Sequence, residues 1–140
     1  MKNAVKPYLN FLDNCLEAMH FYQKVFGGDL EIMKVSESPV ASQFPEEVQN
    51  QVLHACLKND AFIVMASDLC GMGERKPGTS VEMNLDCSSE EEVRALYAQL
   101  SEGGQIIEEL KEQFWGDLFG MVLDRFDVRW MLTYSLNGKQ

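Results

Sequence analysis

Two histidines, four cysteines and a few alternating polar residues are the groups in this chain best suited to chemistry. His54 stands between Leu53 and Ala55 in a β-rich run. An imidazole there is either a hydrogen-bonded structural group or an acid–base group facing a ligand. His20 falls among the exposed positions of a helical pattern and reads as a surface residue. Ser67-Asp68 ends a second β-rich run, as a turn cap or as a polar clamp at the rim of a site. Tyr8 and Asn10 alternate with Leu9 and Phe11, so one pair faces helices and the other a ligand surface. A buried Asn needs partners, which makes Asn10 a structural hub or a ligand contact. Phe114-Trp115-Gly116 leads into Phe119-Gly120, rings that serve as core, dimer contact or ligand stacker.

Cys15, Cys56, Cys70 and Cys87 form no CxxC pair and match no zinc-ribbon spacing. Cys15 and Cys56 lie in apolar patterns and read as small core residues, and no His neighbours a Cys at an evident catalytic spacing. Unpaired thiols and eight methionines fit a reducing, cytoplasmic setting. The formal net charge is −10, with no basic stripe to neutralise phosphates, so nucleic acid is not an expected partner. No apolar run approaches the roughly 18 residues of a membrane helix, and the N-terminus lacks the pattern of a secretory signal, so no membrane partner is expected.

The elements that would position these groups occur twice in one order. The first set is a strand over Val5–Phe11, a helix opened by an Asn14–Glu17 capping box and ended by Gly27-Gly28, and a strand over Leu30–Val35. After a long loop, 36–50, with a helical turn near Pro45, come strands over Val52–Leu57 and Phe62–Ser67 joined at Lys58-Asn59-Asp60. The second set is a strand over Val81–Cys87, a helix opened by Ser89–Glu92 and ended by Gly103-Gly104, and a strand over Gln105–Leu110. Strands over Phe119–Leu123 and Val128–Tyr134 follow, joined at Asp124–Asp127, and Trp130 packs under a helix. The Gly-Gly pairs lie 76 positions apart, 27 to 103. The expected fold is α+β: two βαβββ modules, helices near 14–27 and 89–102, forming a cupped mixed sheet with the helices outside. A cup of that kind is a small-molecule cavity by geometry.

On these residues the chain resembles the vicinal-oxygen-chelate superfamily, which includes glyoxalase I, extradiol dioxygenases and bleomycin-resistance proteins, and within it the PhnB-like branch. The marks are Pro7-Tyr8-Leu9-Asn10-Phe11, Asn14-Cys15, Phe21-Tyr22, Phe26-Gly27-Gly28, His54-Ala55 and Met65-Ala66-Ser67-Asp68. Phe114-Trp115-Gly116, Phe119-Gly120, Asp124, Phe126 and Val128-Arg129-Trp130 complete them. The resemblance implies one glyoxalase-like domain over 1–140, with module one about 4–67, a linker about 68–79 and module two about 80–135. Asp127 stands where the family usually has Gly in the last hairpin turn.

Metal-dependent members carry His, Gln or Glu at four strand positions, matched here near Pro7, Met65, Ser80 and Met131. A shift of two residues would bring Glu82 inward instead. The resemblance therefore implies a metal-independent binder of a small organic molecule, without a cofactor, that sequesters its ligand or acts on it through His54. The alternative is a metal-dependent lyase, isomerase or dioxygenase using a non-standard set such as His54 and Glu82. A third reading is an interaction protein whose cup is filled by its own side chains. The expected ligand-binding residues are Tyr8, Asn10, His54, Met65, Ser67, Asp68, Trp115 and Met131, and the expected protein partner is a second copy of the chain. Some members of this branch carry a demethylubiquinone methyltransferase label, yet no strand here leads through a glycine-rich turn into a helix that would hold the usual methyl donor.

Overall fold

The computed structural model describes residues 5–136. They divide into two compact units, with the boundary between Lys76 and Pro77.

The first unit runs β1 (Tyr8–Phe11), α1 (Cys15–Phe26), β2 (Asp29–Lys34), β3 (Val52–Lys58) and β4 (Ile63–Asp68). Its sheet has the order β1-β4-β3-β2, with β1 parallel to β4 and the other pairs antiparallel. The second unit runs β5 (Met83–Asp86), α2 (Glu90–Ser101), β6 (Gln105–Glu112), β7 (Asp117–Leu123) and β8 (Arg129–Ser135). Its sheet repeats the plan as β5-β8-β7-β6. The α+β fold of two βαβββ modules is thus observed. Strands β1 and β5 are shorter than expected, and Ser80 and Glu82 lie ahead of β5 rather than within it. Between β2 and β3 the loop is built from three short 3-10 turns, at 35–37, 41–43 and 46–48. Gln49 braces it by donating from Nε2 to the carbonyls of Ala41 and Phe44.

The register confirms the repeat in detail. Tyr8 pairs with Met65 in the first sheet and Asn84 with Met131 in the second. Gly28 and Gly104 do the same job in each unit. A Cβ on Gly28 would collide with the carbonyl of Lys58, and one on Gly104 with that of Leu123. Both backbones therefore pass too close to a hairpin strand for any other residue.

In each sheet one face packs under the unit's helix. Phe11, Ala55, Leu57, Val64 and Ala66 are buried with Cys15, Ala18, Met19 and Tyr22 of α1. In the second unit Leu118, Val122, Trp130 and Leu132 are buried with Val93 and Leu100 of α2. Trp130 lies under a helix, as expected.

The two helices start differently. Ser89 caps α2 by accepting from the Glu92 N–H at 3.1 Å, while the Glu92 carboxylate reaches back to the Ser88 N–H at 2.8 Å. Asn14 makes no side-chain cap to α1. Its expected capping box does not form, because a tertiary partner takes the role: Asp68 Oδ1 accepts from the Cys15 N–H at 2.9 Å. Asp68 Oδ2 accepts from the Val52 N–H at 2.8 Å, so one carboxylate ties the ends of α1, β3 and β4 together. Burial pushes this carboxyl above its ordinary range, and the two N–H bonds pull part of the way back.

Asp124 serves the second unit in a comparable way. Its Oδ1 accepts from the N–H groups of Phe126 and Val128, and its Oδ2 from Trp130 Nε1 at 2.8 Å. Asp127 in the same turn sits at φ +63°, the left-handed region that an Asp tolerates.

Two predictions follow from these buried groups. Asp124→Ala strands three donors in a site that is 2% exposed, and should cost about 3 kcal/mol or more in urea unfolding. The second concerns alkali. Burial, with smaller contributions from Asp68 and Cys70, pushes the Cys15 thiol up to about 12. Its stabilising contribution is complete below the ordinary thiol value near 9 and is lost as pH rises toward 12, since the unfolded chain releases the proton first. The denaturation midpoint should fall from pH 9 to 11, and less steeply in Cys15→Ala, where the backbone bond to Asp68 remains.

Candidate functional site

Strand alternation sorts the candidate residues by face. On β1, Tyr8 and Asn10 are exposed while Phe11 is fully buried. The choice left open by the sequence is thereby made: Tyr8 and Asn10 lie on the face away from α1. Tyr8 is in register with Met65, and Met65 with Cys56 and then Glu31. Asn10 is in register with Ser67, and Met33 with His54, in the neighbouring row. Five expected site residues, Tyr8, Asn10, His54, Met65 and Ser67, therefore share one face of the first sheet.

Two of them touch. The Tyr8 hydroxyl and His54 Nδ1 stand 3.5 Å apart, a long hydrogen bond, with the rings tilted at 37°. The imidazole is exposed rather than embedded, so its second nitrogen remains accessible.

Asp68 lies elsewhere. It is 4% exposed, on the face toward α1, with its two oxygens on backbone N–H groups. Its chemistry in this fold is structural.

Cys56 was expected in the core and is found half-buried on the same face as His54, two residues along β3. The flanking apolar residues Ala55 and Leu57 hid this, because strand period alone does not say which face is covered. Cys15, Cys70 and Cys87 are buried as free thiols.

In the second unit Met131 lies in register with Asn84 and Met121 on the face away from α2. Trp115 is at the β6–β7 hairpin, its Nε1 donating to Asp117 Oδ2 at 3.0 Å and its ring edge-on to Phe119. Phe114, 97% exposed, stacks edge-on against Trp115.

The family's metal positions do not fit a hard divalent ion. Pro7 has no donor side chain, and Met65 and Met131 offer thioethers. Ser80 falls outside β5. Glu82 is held by Arg129 through two bonds, at 2.9 and 3.2 Å, with both side chains about one-fifth exposed. Among the described residues no three His, Cys, Asp or Glu side chains cluster as a metal site.

This topology is the α+β fold seen in solved structures of glyoxalase/bleomycin resistance/dioxygenase proteins. A family model described as 3-demethylubiquinone-9 3-methyltransferase matches residues 3–133, and the chain belongs to that family. Protein YjdN of Escherichia coli is 29% identical over 141 residues, covering 92% of this chain and 93% of its own. The crystal structure of protein PA1353 from Pseudomonas aeruginosa is similar at 34% identity and a TM-score of 0.84, covering 94% of this chain and 96% of that one. A glyoxalase/bleomycin resistance protein/dioxygenase family enzyme from Burkholderia phytofirmans shares the fold at 19% identity and a TM-score of 0.63, covering 95% of this chain and all of its own.

The donor set predicts a metal result. Elemental analysis of the purified chain should find no stoichiometric iron, nickel or manganese. About one such ion per chain, held by oxygen and nitrogen ligands, would contradict it.

Proposed function

We propose that this protein binds a small organic molecule on the face of the first sheet that carries Tyr8, Asn10, His54, Met65 and Ser67, and that it does so without a divalent metal. The observation that carries this reading is the gathering of phenol, amide, imidazole, thioether and hydroxyl groups on one face. Aromatic and thioether surface supplies apolar contact, and a few placed polar groups fix orientation, which is the usual make-up of an organic-ligand site. The Tyr8–His54 pair gives the face one acid–base group. A ligand with an acidic C–H or O–H would meet it directly.

The methyltransferase label of the family is not adopted for this chain. The strand-to-helix turns at 12–14 and 87–89 contain no glycine, so neither lets a cofactor approach its backbone closely. The four free thiols favour a reducing compartment, the cytoplasm. Among the described residues no helix is long and apolar enough to cross a membrane.

We also propose self-association. Phe114 and Trp115 (97% and 50% exposed) form an apolar tip of the kind favoured in interface cores.

Native mass spectrometry of the chain purified from cell extract tests the ligand reading. A small organic adduct should accompany the wild type and be depleted in a Tyr8→Phe, His54→Ala double variant. Equal adducts in both, or none in either, would count against it. Light scattering at micromolar concentration tests the assembly: a mass near twice 15.9 kDa is expected, reduced by Phe114→Ser, and a concentration-independent mass of one chain would refute it.

A further inference from the structure

The face of the first sheet away from α1 concentrates sulfur around one imidazole. Cys56 on β3 is in register with Met65 on β4. His54 lies two residues along β3 on the same face and is in register with Met33 on β2. Opposed residues on a sheet face hold their Cβ atoms about 5 Å apart, and residues i and i+2 of a strand stand about 7 Å apart. A methionine side chain has three rotatable bonds and spans such a gap readily. Thiol, thioether and imidazole are thus within reach of a single ion above β3 and β4.

The imidazole is held in a manner suited to ligation. Nδ1 stands 3.5 Å from the Tyr8 hydroxyl, leaving Nε2 as the nitrogen for an incoming ion. A metal-binding histidine commonly has its other ring nitrogen tethered in this way.

We propose that Cys56, Met65 and His54 form a binding site for a soft, thiophilic cation of the copper(I) class, with Met33 as a fourth donor. Thiolate and thioether sulfur select copper(I), and the same donors discriminate against magnesium and manganese. The ion has a filled d shell and imposes no strict geometry, so a site assembled from flexible side chains on a sheet face suits it. Binding displaces the Cys56 proton to solvent as the thiolate–copper bond forms; copper stays in its +1 state throughout.

The other thiols are poor competitors. Cys15, Cys70 and Cys87 are buried, and burial pushes all three upward, Cys15 to about 12 and Cys87 to about 11. They remain protonated where Cys56, half-buried at the surface, is accessible. This inference goes beyond the organic-ligand reading and does not rest on it.

The test is an anaerobic titration of the metal-free chain with copper(I) in competition with bicinchoninate, with no organic ligand present. The chain should withdraw one equivalent and gain the ultraviolet absorption of a thiolate–copper bond. Cys56→Ser should weaken uptake at least tenfold, and Met65→Leu, a volume-conserving change that keeps the fold, several-fold. Cys87→Ala should leave it unchanged, and manganese(II) should not be taken up by the wild type. Failure of the wild type to draw copper(I) from the chelator would overturn the proposal. So would an affinity unmoved by Met65→Leu, or one equivalent retained at full affinity by a folded Cys56→Ser chain.

Discussion

The carboxylate of Asp68 accepts one bond from the first N–H of α1 and one from the first N–H of β3, while its own backbone ends β4. A buried carboxylate left without donors is costly, so these bonds are obligatory for the first unit. They fix where the helix begins over the sheet. By setting the register at the end of β4, they also fix which side chains of β1, β3 and β4 turn away from the helix. The second unit meets the same demand with Asp124, whose oxygens hold the β7–β8 turn and the indole of Trp130. Each unit thus carries a buried polar anchor inside an apolar layer.

With the helix-facing side committed to packing, the face away from the helix is free to vary, and the two units differ there. Superposing the registers sets Tyr8 against Asn84, Met65 against Met131 and Ser67 against Thr133. His54 has Phe119 as its counterpart, two residues before Met121, the counterpart of Cys56. Imidazole and thiol therefore occur on the first face alone among these pairs. On the second face the charged groups include Glu82 and Arg129, which neutralise each other. The contrast explains why the first face, and not the second, carries both proposals.

Much of the fold was legible in the residue pattern. Helical spacing, the Ser89–Glu92 cap, the Gly-Gly pairs and the Asp124–Asp127 turn act between residues close in sequence, and all of them appear in the structure. The repeat was legible for the same reason, since each copy is read locally. The Asn14 cap was misread because its competitor, Asp68, lies 53 residues away. Cys56 was misread because alternation places a residue on a face without naming the face that is covered.

The sequence by itself determined the kind and order of the elements, the turns between them and the family to which the chain belongs, because short-range sterics and hydrogen bonding are written in adjacent residues. The tertiary structure decided the rest. It chose Asp68 over Asn14 as the helix cap, turned Tyr8 and Asn10 away from α1 and Phe11 toward it, set Asp68 on the helix-facing side and brought Cys56 onto the same face as His54. Each of these outcomes depends on which face of a strand meets a helix, and that is set by pairing between strands far apart in the chain.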